Sequence, residues 1–451
     1  MKPMKPNRGR SQPGHAPRAQ DKTAPPEKRV LTIEKPIYGG AFLAREEGKA
    51  IFVPLTLPGE QVRVRIVQDK GKRGYATAEA EEIITAAPQR VTPGCRHFGV
   101  CGGCQYQHAS YEAQLGLKQA VLRETLERGG VAAPAEIAVL AGEPWGYRNR
   151  IRVAFDAMGN LGYRGRRSHA VTPIAECPIA APLLVKAALA AAEIARNFAP
   201  ALQPTELALF CDANETALLM SISVASAVKV RLDDFARELQ ERIPALAGIE
   251  LVVEGGEGQQ PRTIAQWGAS SLTYRAAGFD YRVDHGAFFQ VNRWLVDALV
   301  NRVTATHNGA LAWDLFAGVG LFARQLTGAF SRVIAVESAP LATSALEANL
   351  KETTGTAARA STHEFLSRNR KGERPDLVVV DPPRTGLGAE ITSRLAEIAP
   401  PAMVYVSCDP ATLARDLRAL LESGFAIESV TIADLFPQTF HLETVVQLRR
   451  S

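Results

Sequence analysis

Hydrophobic positions along this chain change their spacing from region to region. Between Arg29 and Ala87 they fall in short alternating or β-branched runs, Val30-Leu31-Thr32-Ile33, Ala50-Ile51-Phe52-Val53 and Val62 to Val67, parted by Gly, Pro and charged turns. That spacing predicts a small β-barrel, and an OB-like barrel offers strand faces and loops suited to single-stranded nucleic acid. Over 110–128, Tyr111, Leu115, Val121, Leu122 and Leu126 lie near one face of a predicted helix that Gly129-Gly130 ends. From Trp145 to Phe289, predicted strands (Arg150 to Phe155, Thr216 to Val224, Glu250 to Glu254) mix with an Ala-rich helix near 182–197, giving a middle α/β domain. Beyond Ala310 apolar strand-length runs alternate with helical patterns: Leu311 to Phe316, Val333 to Glu337, Leu377 to Asp381 and Met403 to Ser407. This is the rhythm of a doubly wound parallel sheet, with Val445 to Arg449 as a late added strand.

Composition narrows the class. With 451 residues the chain exceeds one ordinary core, so three or so domains are expected. Hydrophobic content of 46% and charged content of 22% are those of a soluble globular protein. No apolar run reaches the roughly 18 residues of a membrane span, and the N-terminus lacks a secretory core, so a cytoplasmic protein without a membrane partner is expected. The net charge of +5 sits in the first 30 residues, which hold eight Lys or Arg against two acids and six prolines. Residues 1–29 therefore read as a disordered basic tail, able to gather RNA non-specifically. The remainder is close to neutral.

Candidate chemistry clusters after strands, where open α/β sheets place their ligands. Asp314-Leu315-Phe316-Ala317-Gly318-Val319-Gly320 runs from strand through a glycine turn into a helix, and Glu337 closes the next strand. An acid at that offset suits ribose hydroxyls, while two glycines rather than three favour a nucleoside without a pyrophosphate, such as S-adenosylmethionine. Asp381-Pro382-Pro383-Arg384 follows another strand, its prolines fixing the backbone beside the carboxylate. Cys408, in Ser407-Cys408-Asp409-Pro410, is a candidate nucleophile, and its loop is expected to lower its pKa through backbone donors or Arg384. Cys95, Cys101 and Cys104 stand close together among glycines. They indicate an iron–sulfur cluster or a zinc site, with His97, His108 or Cys177 as the fourth ligand. Cys211 reads as core.

Phe288-Phe289-Gln290-Val291-Asn292, Asp314 to Gly320, Asp381 to Arg384, Ser407 to Pro410 and His441-Leu442-Glu443-Thr444-Val445 together resemble the RNA (uracil-5-)-methyltransferase family. The cysteine spacing is similar to that of the branch with an N-terminal TRAM barrel and a [4Fe-4S] cluster, whose members make 5-methyluridine in 23S ribosomal RNA. The resemblance covers nearly everything after residue 29. It implies a TRAM-like barrel over 30–87, an iron–sulfur and central RNA-binding domain over 88–287, and a Rossmann-like class I methyltransferase domain over 288–451. It further implies that Cys95, Cys101, Cys104 and Cys177 hold the cluster. Gln290, Phe316, Glu337 and Asp381 would line the S-adenosylmethionine site, with Cys408 as nucleophile and Glu443 as base. Leu321 departs from the family, whose members often carry a polar residue there. The implied partner is RNA, 23S ribosomal or alternatively transfer RNA, met by a monomer. A contrasting reading is a non-catalytic RNA-binding iron–sulfur protein, which the intact Cys408, Asp381 and Glu443 oppose.

Overall fold

Five strands, β1 (Lys28–Pro36), β2 (Ala41–Glu46), β3 (Lys49–Pro54), β4 (Gln61–Asp69) and β5 (Ala76–Thr85), close into a barrel in the order β1-β2-β3-β5-β4. The computed structural model describes residues 28–450 apart from 72–73, 199–201, 228–230, 256–260 and 369–371. The expected tail thus lies outside the described residues except for Lys28 and Arg29, which open β1. Alternation places Leu31, Ile33, Ile51, Val53, Val62 and Val64 inside the barrel. The inward positions of β5 include Ala76 and Ala78, too small for hydrophobic spacing to announce the strand.

Helix α1 (Tyr111–Arg128) starts at Ser110, whose hydroxyl accepts the Ala113 amide at 3.3 Å. A three-residue strand, β6 (Ala138–Leu140), follows. The middle unit is built from β7 (Arg150–Phe155), β8 (Leu161–Arg164), β9 (Val171–Pro173), α2 (Pro182–Phe198), β10 (Pro204–Cys211), β11 (Leu218–Val224), α3 (Leu232–Arg242), β12 (Leu246–Val253) and β13 (Arg262–Gly268). Its sheet runs β13-β12-β11-β10-β7-β8-β9. Ile151, Val153, Leu207, Leu209, Met220 and Ile222 pack beneath α2 and α3, so these helices cover one sheet face. Cys211 is buried in the same core, as expected.

A hairpin of β14 (Ser271–Ala276) and β15 (Phe279–Asp284) leads to α4 (Val296–Thr304). Then come β16 (Gly309–Leu315), α5 (Leu321–Leu326), β17 (Phe330–Glu337), α6 (Pro340–Leu350), β18 (Gly355–Arg359), α7 (Thr362–Arg368), β19 (Leu377–Val380), α8 (Gly388–Ile398), β20 (Ala402–Ser407), α9 (Pro410–Glu422), β21 (Phe425–Ala433) and β22 (Thr444–Arg450). The eight strands are ordered β18-β17-β16-β19-β20-β22-β21-β6. Strands β16 to β20 pair in parallel, and β22 enters antiparallel beside β20. The order of strands reverses between β16 and β19, the switch point at which such folds hold ligands. One edge differs from expectation: β6 pairs in parallel with β21, so a segment ahead of the middle sheet completes the C-terminal one. Among the described residues no helix is long and apolar enough to cross a membrane.

Candidate active site

The ends of β16, β17, β19 and β20 converge on the switch point and carry Asp314, Glu337, Asp381 and Cys408. After β16 the chain turns through Phe316, which holds the left-handed conformation at φ 65°. A bulky residue there is strained, a state that persists where its surroundings impose it and that concentrates at functional sites. Gly320 has φ 89°, and a Cβ on it would stand 2.6 Å from the Leu346 side chain, so the turn needs a glycine twice over. Glu337 reaches back to this loop. Its two oxygens accept the amides of Gly318 at 2.9 Å and of Ser338 and Ala339 at 2.7 Å each, which fixes the carboxylate at the mouth of the turn.

Asp314 is buried, with one oxygen accepting the Ala323 amide at 2.8 Å and the other unpartnered. Burial pushes its pKa up to about 8, with Asp381 and Glu337 adding to the rise. Burial likewise lifts Asp381 to about 7. Gln290 is also buried, and its backbone carbonyl accepts a hydrogen bond from the Asn149 side chain at 2.9 Å, which ties this segment to the middle domain.

Cys408 lies between β20 and α9. Asp409 caps that helix, accepting the amides of Ala411 and Thr412 at 3.0 Å, and Pro410 occupies its first turn. Ser407 pairs with Thr444 across the β20–β22 ladder, which brings Cys408 beside Glu443 from opposite ends of the chain's last segment. Glu443 is 5% exposed and is held protonated well above the usual carboxylate range by burial and by Asp381. The expected activation of Cys408 by its loop is corrected here. Burial, then Glu443 and Asp381, push the thiol up to about 11, and Arg384 opposes them without prevailing.

Several neighbours escaped sequence reasoning. Tyr38, on the loop between β1 and β2, donates its hydroxyl to the Cys408 carbonyl at 3.4 Å and packs edge-on against Phe440 at 5.7 Å between ring centroids. Arg384 approaches Nδ1 of His441 at 3.4 Å. Burial, with Arg384, Arg148 and Lys118, pushes His441 down to about 4, so it is neutral at physiological pH. The spacing of polar residues gave no signal for these contacts, because each joins separate domains or loops.

The four cysteines Cys95, Cys101, Cys104 and Cys177 line one cavity of about 280 Å³, together with His97 and Arg148. Burial raises the thiols of Cys95 and Cys101 and pushes Cys104 up to about 12. His97 shares the cavity, whereas His108 is turned away, its Nε2 2.9 Å from the Thr56 carbonyl. Among the described residues no three His, Cys, Asp or Glu side chains close on a single metal-ion position.

Comparison with known proteins agrees with this geometry. The profile of the tRNA (Uracil-5-)-methyltransferase family matches residues 236–451, and that of the TRAM domain matches residues 27–80. A Streptomyces avermitilis protein described as an uncharacterized RNA methyltransferase is 33% identical, over 94% of this chain and 98% of its own length. The 23S rRNA (uracil(1939)-C(5))-methyltransferase RlmD of Halomonas elongata is 32% identical, over 93% of this chain and 89% of its own. The crystal structure of the Pyrococcus abyssi tRNA (uracil-54, C5)-methyltransferase with S-adenosyl-L-homocysteine shares the fold, with a TM-score of 0.73 and 24% identity across 93% of this chain and all of that one. With a TRAM barrel ahead of a doubly wound sheet and relatives of this similarity along nearly its whole length, the chain belongs to the RNA (uracil-5-)-methyltransferase family.

Proposed function

We propose that this chain methylates C5 of one uridine in RNA, most directly 23S ribosomal RNA, through a covalent adduct between Cys408 Sγ and C6 of the base. The observation that carries the reading is the meeting of Cys408, Asp381 and Glu443 beside a strained glycine turn at the switch point, each close enough to perturb the titration of another. The ribosomal substrate follows the relatives near 32% identity, whose names specify 23S rRNA. Residues 288–451 act as the methyl-transfer unit, 30–87 and 88–287 as the barrel and central domain that hold RNA, and the protein works as a cytoplasmic monomer.

C5 of uracil is a weak carbon nucleophile. When Cys408 sulfur bonds to C6, the ring's C5–C6 π electrons move toward the C4 carbonyl, and C5 becomes nucleophilic. C5 then takes the electrophilic methyl group of S-adenosylmethionine, the methyl–sulfur bond breaking to leave S-adenosylhomocysteine. Glu443 then accepts the C5 proton, the C5–C6 double bond re-forms, and the sulfur–C6 bond breaks. Gln290, Phe316, Glu337 and Asp381 would hold the methyl donor, Glu337 facing its ribose. Cys408, its thiol pushed up to about 11, is protonated in the free chain at neutral pH and must lose its proton as the substrates assemble. Asp381, whose charge already bears on the Cys408 thiol, would take the thiol proton. The target base reaches these groups only when flipped from its stack.

Cys95, Cys101, Cys104 and Cys177 would hold a [4Fe-4S] cluster. An all-thiol donor set suits soft iron and sulfur. The four thiols line one cavity, which a cluster bound by all of them would fill. When bound, the cluster supplies covalent ties that fix its loop, and the methyl transfer draws no electron from it.

Incubating the protein with labelled S-adenosylmethionine and total RNA tests the reading. Label should enter 23S rRNA as 5-methyluridine. Label confined to transfer RNA would overturn the ribosomal assignment, and label in a different base would overturn the chemistry.

A further inference from the structure

The loop over 381–387 carries Asp381 and Arg384, and its sequence gives the backbone few means of holding itself. Pro382 and Pro383 bring no amide hydrogen. The Asp381 amide ties the start of the loop to the sheet, donating to the Leu315 carbonyl at 3.3 Å, and the Gly386 amide closes a turn onto the Pro383 carbonyl at 2.8 Å. Beyond that, side chains of α9 take hold. Thr412 donates its hydroxyl to the Arg384 carbonyl at 3.1 Å, and Arg415 donates to the Thr385 carbonyl at 2.8 Å. Asp416 accepts the Leu387 amide at 2.7 Å. Positions 412, 415 and 416 share one face of the helix, the same helix whose cap, Asp409, follows Cys408.

Asp416 is the centre of this clasp. It is 2% exposed. Besides the Leu387 amide, its Oδ2 accepts the Tyr405 hydroxyl at 2.8 Å, while the Arg415 guanidinium meets Oδ1 at 2.8 and 2.9 Å. Gly386 has φ 71°, and a Cβ on it would collide with Asp416 Oδ2, so the loop lies against the carboxylate as closely as a glycine permits. A buried ion pair adds little net stability over apolar packing. What this one fixes is the placement of the loop.

That placement bears on Cys408. Glu443 and Asp381 push its thiol up and Arg384 pulls it down, with Tyr38 and Asp409 beside them. Asp381 is anchored to β16 through its own amide, so loosening the clasp frees Arg384 first. The Arg384 guanidinium itself has a weak tie, Nη2 standing 3.4 Å from His441 Nδ1.

We propose that Asp416 is a positioning residue for methyl transfer: with Thr412 and Arg415 it clasps the 381–387 loop onto α9 and so keeps the Arg384 guanidinium at Cys408. The inference rests on the reading of Cys408 as the nucleophile and names what sets the charge around it. Helix α9 then holds the thiol at its cap and the opposing cation within its first two turns, and the two move as one body.

Full-length Asp416→Ala, alkylated at mildly alkaline pH with iodoacetamide and with iodoacetate and read at Cys408 by peptide mass spectrometry, tests this. Iodoacetamide should react about tenfold more slowly than with wild type, the low end of what withdrawing an opposite charge does to a titrating group. The ratio of iodoacetate to iodoacetamide rates, in which access to the thiol cancels, should fall about threefold, the scale of one unit charge a few ångströms away. Asp416→Asn, which keeps an oxygen for the Leu387 amide, should restore most of both values. Arg384→Gln should reproduce the change, and the double variant should go no further, because both act through one guanidinium. Tyr405→Phe should lower stability toward denaturant with the ratio unchanged. A wild-type ratio in folded Asp416→Ala, or in Arg415→Met should the former fail to fold, overturns the clasp, as do additive changes in the double variant or an equal fall in Tyr405→Phe. A lowered ratio alongside a wild-type protein that transfers no methyl group would leave the clasp standing and sink the catalytic reading instead.

Discussion

Lys118 and Asp434, 316 positions apart in the chain, form an ion pair shut off from water, with side-chain exposures of 1% and 0%. Lys118 also donates to the Phe436 carbonyl at 2.9 Å. One turn earlier on α1, Gln114 exchanges hydrogen bonds with the side chain and the backbone amide of Gln438. The Gln438 carbonyl accepts the amides of Gln105 and Tyr106, immediately after Cys104. Helix α1 and the cysteine loop thus brace the 434–443 segment that ends at the proposed base. Removing one partner of a buried pair strands the other charge. Lys118→Met should therefore cost about 3–5 kcal/mol in denaturant unfolding, and a cost below about 1 kcal/mol would show that the pair does not brace the segment.

Tyr38 joins the barrel to the Cys408 loop through its hydroxyl and to Phe440 through its ring. Tyr38→Phe keeps the ring but removes the hydroxyl that meets the Cys408 carbonyl and Asp409, and should slow methyl transfer about threefold to tenfold, the worth of one hydrogen bond. Tyr38→Ala also removes the packing on Phe440 and should slow it further. Equal rates for the two variants in single-turnover assays would mean that the hydroxyl does nothing separate from the ring.

Stability should respond to pH through Asp314. Its folded pKa of about 8 lies far above that of an exposed aspartate, so the folded state binds the extra proton between about pH 4 and pH 8. That contribution is complete at low pH and is lost as pH rises through this window. Buried His108 and His441, each held down near 4, act in the opposite sense between about 4 and 6.5. Comparison with Asp314→Asn cancels them. Thermal melts of the cofactor-free proteins should show the variant gaining on wild type from pH 4 to pH 8 and holding steady above, whereas a constant gap would place Asp314 in contact with solvent.

The cysteines divide into groups with different readouts. Serine at Cys95, Cys101, Cys104 or Cys177 should lower the iron and sulfide retained by protein purified without oxygen. Cys211→Ser lies in the apolar core of the middle domain and should lower stability while leaving iron unchanged. Stoichiometric zinc with no sulfide in the wild type would contradict the cluster assignment.

How much of this was legible beforehand depends on the range of each signal. The glycine turn, the Asp-Pro-Pro-Arg turn and the cysteine spacing are local, and the structure brings Phe316, Glu337, Asp381, Cys408 and Glu443 to one crevice because strand ends of a doubly wound sheet meet there. Strand β6, at three residues, is shorter than any period can reveal, and β5 hides behind small inward alanines. Tyr38 lies 370 residues from Cys408, and their meeting depends on how the barrel docks. The protonation of Cys408 was read with the wrong sign because Arg384 is visible in sequence and burial is not.

The most direct test of the central claim uses RNA bearing 5-fluorouridine at the target, whose C5 fluorine cannot leave as a proton does. Mixed with the protein and S-adenosylmethionine and analysed by peptide mass spectrometry, it should leave a methylated nucleotide covalently attached to Cys408, and Cys408→Ala should form no adduct and transfer no methyl group while still binding cofactor. Continued methylation by Cys408→Ala, or an adduct on another residue, would contradict the account.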